Sequence, residues 1–395
     1  MSRQRRVLFL TPFPPRVDAA HGGGRAAAKT ISELAARHQV AVLALRLPDE
    51  PPVDDAIRER CELVREVARP LVGGSPIRLW SQRQRLRLMF SGTPHWVIGC
   101  SVADYARQLR VLLRSWRPDV VQMEFTVMGQ YAQLLAVCPA RRILVDYDPG
   151  DYGDGRSWAR YRASVMRRVD AVVVFTRRDQ EALRPLARAT RFVRIPISAD
   201  VPASALDPVG KSPSRLLFVG NYNHPPNVEA ARRLAADIFP RLREHHPNLV
   251  LNLVGERPPA DLAGPGIELL GRVADVNPYL DEAAIVVVPI RSGGGMRVKV
   301  LEALAAGKAV VASSLAVEGL EVSDGQEVLI ADSDDEFSAA VLSLLTDPER
   351  RAELAGQART WALANLGWEN AVEAYESLYE SLLDGRDSGE AARNP

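Results

Sequence analysis

Cysteine is scarce in this 395-residue chain: Cys61, Cys100 and Cys138 stand far apart and odd in number. No Cys-x-x-Cys pair is present, so neither a zinc ribbon nor a disulfide framework is encoded, and a reducing cytoplasm is the simplest setting. Charge of one sign is not in excess. Fifty Lys and Arg oppose forty-nine Asp and Glu, a net charge of +1, which argues against a nucleic-acid partner. Long apolar runs are also missing. Nothing approaches the roughly 20 residues that cross a bilayer. The run Val7–Leu10 is too short for the apolar region of a signal peptide and reads as a first strand. A cytoplasmic protein is expected, with any membrane contact peripheral.

What is present is an ordinary globular composition, 47% hydrophobic and 25% charged, in a chain long enough for two domains. Short continuous apolar runs alternate with longer amphipathic stretches. Strands are expected at Val7–Leu10, Val40–Leu45, Asp119–Met123, Arg142–Val145 and Ala171–Phe175, with helices over Arg25–Arg37, Asp54–Ala68 and Val102–Trp116. Continuous rather than alternating apolar runs mean strands buried on both faces, hence parallel, doubly wound sheets. Val201–Ser214, with Pro202, Pro208, Gly210 and Pro213, reads as a linker. The rhythm then restarts, with strands at Leu216–Val219, Leu249–Val254, Ile285–Pro289, Ala309–Ala312 and Val328–Ile330. Helices follow over Val228–His245, Met296–Ala306, Asp335–Leu345, Pro348–Asn365 and Glu369–Leu383. The expected division is a first α/β domain over 1–200, a linker over 201–214 and a second α/β domain over 215–366. A terminal helix over 367–383 and a flexible polar tail over 384–395 complete it. In such sheets ligands bind at the carboxyl ends of the strands.

The strongest local signal lies at one such end. The apolar run Val286-Val287-Val288 is followed by Gly293-Gly294-Gly295-Met296, then Arg297-Val298-Lys299 and Glu302 on a helix. Glycines let backbone approach a ligand, and the first helical amides point outward unpaired, which suits an anion. Cations at a helix start oppose the macrodipole, a cost that an anion nearby would offset. Glu302, one to two turns further in, can accept two hydrogen bonds from a ribose diol. The turn is neither a Walker loop nor a Gly-x-Gly-x-x-Gly turn, which argues against an ATPase and a simple dehydrogenase. The plain structural alternative is a glycine-rich bend with solvated basic residues.

This segment resembles the signature of retaining glycosyltransferases of the GT-B fold, group 1, in the family-four type. Leu301-Glu302-Ala303-Leu304-Ala305, Gly307-Lys308-Ala309-Val310-Val311-Ala312-Ser313 and Glu318-Gly319-Leu320 carry the resemblance. Gly294 stands where the family has a first glutamate, and Asn221 and Asn227 stand where many relatives carry Arg and Lys. The resemblance implies two Rossmann-like domains facing a cleft. It implies a donor nucleotide held by Gly220, Asn221, Gly255, Arg272, Val273, Glu302 and the Gly293–Met296 turn. It also implies a phosphate or acceptor loop at His21, Gly22, Gly23, Gly24 and Arg25, and a terminal helix that packs back on the first domain. Arg297 and Lys299 would stabilise the leaving diphosphate with no metal or other cofactor. Asp148 or Asp151 would face the acceptor hydroxyl as a base. The Asp146-Tyr147-Asp148 tripeptide is discounted as a metal motif on this fold, and an acidic capping loop explains it equally well. The implied partners are a nucleotide sugar and a hydroxyl-bearing acceptor. The alternatives are a nucleotide-sugar epimerase or a non-catalytic sugar-nucleotide-binding protein. Two basic stretches, Arg78–Phe90 and Arg156–Arg168, fit either solvated surface arginines or contact with an anionic membrane.

Overall fold

The computed structural model describes residues 3–19, 22–69, 92–147, 155–195, 198–293 and 297–391, with side chains described as far as Asp384. Among these residues, the first sheet has seven parallel strands: β1 (Arg6–Thr11), β2 (Gln39–Arg46), β3 (Leu63–Ala68), β4 (Val120–Glu124), β5 (Arg141–Val145), β6 (Ala171–Val174) and β7 (Arg191–Arg194). Their order is β3-β2-β1-β4-β5-β6-β7. The second sheet has six: β8 (Ser212–Val219), β9 (Val250–Val254), β10 (Ile267–Gly271), β11 (Ala283–Val288), β12 (Val310–Ala312) and β13 (Leu329–Ile330). They run parallel in the order β10-β9-β8-β11-β12-β13. The expected pair of Rossmann-like domains is therefore what the chain forms. β4 and β11 are buried from end to end and β2 over Val40–Leu45, as their runs of Val, Leu, Ile and Ala favour.

Several local expectations need correction. The stretch Asp54–Ala68 is not one helix but a short helix, Asp55–Arg60, followed by edge strand β3. The helix expected over Val228–His245 starts earlier, at Pro225, and contains a π-helical turn at Leu234–Ile238 before resuming as Phe239–His245. Strand β8 begins at Ser212, inside the expected linker. The terminal helix runs from Trp368 to Ala391, through residues read as a flexible tail.

That terminal helix lies on the first domain. Tyr379 donates its hydroxyl to Gln122 on β4 at 2.7 Å, and Glu376 accepts from Arg37 at 3.1 Å. Gln122 in turn donates to Glu124 at 2.7 Å, and Tyr147 donates to the other Glu124 oxygen at 2.7 Å. Glu124 is fully buried, and that burial pushes its carboxyl up to about 7 against the pull of both hydrogen bonds. Among the described residues no helix is long and apolar enough to cross a membrane.

Each sheet reverses its direction of winding once, between β1 and β4 and between β8 and β11. These switch points open crevices at the strands' carboxyl ends. The segments leaving β1, β4, β8 and β11 therefore meet between the two domains.

Candidate functional site

Strand β11 delivers the chain to the glycine-rich turn beside its switch point. Gly293 takes a φ of +92° and lies against Pro226, where a Cβ would fall 2.8 Å from the ring. Gly294, Gly295 and Met296 lie outside the described residues. The helix begins at Val298 rather than Met296, which puts Arg297 at the cap. Arg297, expected as a cation for the leaving diphosphate, is held by the turn itself. It is 7% exposed, and its guanidinium donates to the carbonyls of Gly293 at 2.8 Å and Leu315 at 3.3 Å. It staples the turn and leaves a positive charge at the helix start.

Lys299 sits one turn-step away. Its ammonium donates to Asn227 Oδ1 and lies 4.8 Å from the Phe218 ring centroid. Asn227 Nδ2 donates to the Asn221 carbonyl at 2.8 Å, so the loop after β8 is tied to the Val298 helix. Asn227 is not a helix cap, since His224 holds that position. Burial first, and then the charge of Arg297, push the Lys299 ammonium down to about 7, while Glu302 pulls it up. Two cations held this close favour an anion between or beside them.

The strand-end loops close in around this point. Gly255 has a φ of +137°, and a Cβ there would fall 1.7 Å from the Gly220 carbonyl oxygen. Its N–H donates to Gly271 at 2.8 Å. Gly255 is thus explained by backbone packing against Gly220. Arg272 is exposed and reaches across to the first domain, donating to the Asp18 carbonyl at 3.0 Å, with Val273 half-buried beside it.

From the first domain, the helix Gly22–Ala35 starts at Gly22, so Gly22, Gly23 and Gly24 form its first turn and not a loop ahead of it. A Cβ on Gly22 would lie 2.6 Å from Val298 Cγ2, and one on Gly23 would lie 3.1 Å from the Phe125 ring. Arg25 Nη2 donates to Glu302 Oε1 at 2.8 Å. His21, Asp148 and Asp151 lie outside the described residues, as does Arg78–Phe90. Asp146 is buried and accepts from Thr126 Oγ1 at 2.6 Å, with Arg162 Nε at 3.6 Å, so it serves the domain's own packing. Arg162 is 4% exposed, which takes it out of the basic surface stretch. Among the described residues no group of three His, Cys, Asp or Glu is gathered to hold a metal ion.

Sequence reasoning missed Phe218, Phe125 and Glu124 here. Phe125 leaves β4 with a φ of +66°, rare for an aromatic residue, and stacks on Tyr147 at 4.4 Å between centroids. The polar pair Gln122 and Glu124 in an otherwise apolar strand was the available signal for Glu124. A cavity of about 690 Å³ on the flank of the Pro225 helix, between Tyr222, Arg232 and Arg291, is lined by none of the expected site residues.

Residues 213–347 match the family described as glycosyl transferases group 1. The chain is 29% identical over 255 residues to a phosphatidyl-myo-inositol mannosyltransferase of Mycolicibacterium smegmatis, covering 59% of this chain and 63% of that protein. It spans, then, less than two thirds of that relative's length. It is 25% identical over 300 residues to a glycogen synthase of Mycobacterium tuberculosis, covering 69% of this chain and 71% of that one. Among solved structures, a sucrose-phosphate synthase from Thermosynechococcus elongatus superposes with a TM-score of 0.74 at 16% identity, over 97% of this chain and all of that one. HepE of Anabaena, in complex with UDP and glucose, gives 0.67 at 14% identity, over 96% and 99%. The fold is GT-B, and the second domain carries the group 1 glycosyl transferase match.

Proposed function

We propose that this chain is a retaining glycosyltransferase that moves a sugar from a nucleotide-diphosphate donor to a hydroxyl acceptor. The observation that carries the reading is the helix start at Val298. It lies at a topological switch point, has Arg297 at its cap and Lys299 in its first turn, and presents Glu302 one turn further along. Unpaired helix amides and two fixed cations suit a diphosphate. Glu302 suits the ribose hydroxyls. The group 1 match over this same segment and the UDP in a structural neighbour support the same ligand class.

As the glycosidic bond breaks, negative charge grows on the departing phosphate oxygen while the sugar becomes oxocarbenium-like. Lys299 and the amides at the helix start stabilise that charge, and Arg297 holds the turn in which they sit. Cations supplied by side chains meet the need that a divalent metal meets elsewhere, so transfer is expected to persist in chelator. Retention follows if the acceptor attacks from the face the diphosphate leaves. Contact between the domains excludes water, which would otherwise divert the reaction to hydrolysis.

The test combines binding and turnover. UDP, GDP and ADP are titrated calorimetrically against the wild type and Glu302→Ala. Loss of two hydrogen bonds to a charged group should weaken the preferred nucleotide more than about tenfold. A panel of nucleotide sugars is then scored for nucleotide diphosphate release with and without candidate acceptors, in chelator, and the product anomer is read by NMR. If no nucleotide binds, the reading fails. An inverted product would keep the transferase and remove retention. Isomerised donor without an acceptor requirement would point to an epimerase.

A further inference from the structure

Resting on that reading, the cross-domain contacts at the donor pocket have a consequence for affinity. Glu302 Oε1 is already engaged: Arg25 Nη2 donates to it at 2.8 Å across the cleft, and the two side chains are each 34% exposed. Further contacts reinforce the placement. Arg25 Nη1 also donates to the Ala19 carbonyl at 3.3 Å. Arg272 donates to the Asp18 carbonyl at 3.0 Å. Gly22 lies so close to Val298 that a Cβ would fall 2.6 Å from its Cγ2. Contacts from the first domain thus reach both the strand-end loop at Arg272 and the start of the Val298 helix, and Arg25 places a guanidinium on the carboxylate of that helix.

A carboxylate has two oxygens, and a ribose diol uses both when each hydroxyl donates to one. A guanidinium seated on Oε1 occupies an acceptor direction that one of those hydroxyls would use. We propose that Arg25 competes with the nucleotide's ribose for Glu302, so that this cross-domain ion pair sets donor affinity. Entry of the nucleotide releases Arg25 from Glu302. Arg25 is thus a positioning residue that acts through Glu302.

The predicted signature is opposite to that of an ordinary binding residue. A part-exposed ion pair is weak, so removing it should tighten nucleotide binding by only about two- to fivefold. The experiment is calorimetric titration of UDP, GDP and ADP into the wild type, Arg25→Ala, Arg25→Lys and Glu302→Ala, with far-UV circular dichroism to show that each variant is folded. Arg25→Ala is expected to bind the preferred nucleotide two- to fivefold more tightly than the wild type. Arg25→Lys, which keeps the charge without the planar fork, should fall between the two. In turnover, Arg25→Ala should lower KM by a similar factor with kcat little changed. Equal or weaker binding by folded Arg25→Ala overturns the proposal while leaving the donor site standing. Absence of nucleotide binding by the wild type removes the donor site itself.

Discussion

Lys299 gives the sharpest quantitative expectation. Its ammonium is pushed down to about 7 by burial and by Arg297. The free protein therefore loses this proton near neutral pH, and with it a cation of the proposed diphosphate site. A bound diphosphate adds negative charge beside the ammonium and raises its affinity for the proton. Binding is then linked to proton uptake, and nucleotide diphosphate affinity must fall as pH rises through about 7. With a free-state midpoint near 7, the protonated fraction drops from about nine tenths at pH 6 to about one tenth at pH 8, a tenfold loss of affinity. The terminal phosphate ionises near pH 6, so its own titration works in the opposite sense and is finished above about pH 7. Isothermal titration calorimetry between about pH 6 and pH 9, in two buffers of different ionisation heat, measures both the slope and the proton taken up. Lys299→Arg keeps its charge throughout and should flatten the profile at the tight limit. Lys299→Met should flatten it at the weak limit. A wild-type affinity that does not change above pH 7, or a slope that survives in Lys299→Arg, would show that this ammonium does not meet the diphosphate.

Two further outcomes follow from packing and burial. Gly22→Ala places a methyl group 2.6 Å from Val298 Cγ2, an overpacking that should cost about 1–3 kcal/mol of domain contact. It should lower kcat/KM with little change in the melting of either domain, and adding Val298→Ala should restore turnover. Glu124 has its carboxyl raised from 4.5 to about 7. The stability its protonated form contributes is complete below about pH 4.5 and lost as pH rises through about 7. Glu124→Gln should therefore melt with the wild type in acid and above it at pH 8. The gap at alkaline pH has an upper size of about 3 kcal/mol. A gap that does not vary with pH would mean that Glu124 is already ionised in acid.

The central strands were legible because burial on both faces leaves an unbroken apolar run, as in Val286-Val287-Val288 or Ala171–Val174. The strands that escaped notice, β3, β7 and β10, all lie at sheet edges. Edge strands have one neighbour and keep charged residues on their free side. Thus Arg191-Phe192-Val193-Arg194 carries arginine at both ends, and Leu63–Ala68 has Arg65-Glu66 in its middle, a pattern equally compatible with a helix. At the candidate site the local part was readable, since the glycine-rich turn, the basic helix start and Glu302 are contiguous. The pairings were not. Arg25 and Glu302 are 277 residues apart in sequence, and Lys299 and Asn227 are 72 apart. No periodicity within either segment encodes its distant partner. The burial of Arg297 was not legible for a related reason: its guanidinium donates to the Leu315 carbonyl, contributed by a separate turn.

The terminal helix has a bearing on how the chain is made. Tyr379 and Glu376 complete a polar layer whose other members, Arg37, Gln122 and Glu124, belong to the first domain. During synthesis the ribosome must pass residue 379 before that layer can be satisfied, after the whole second sheet has emerged. The domain translated first is therefore the one finished last, and a nascent chain paused in the second domain would expose an unsealed patch for a chaperone to cover.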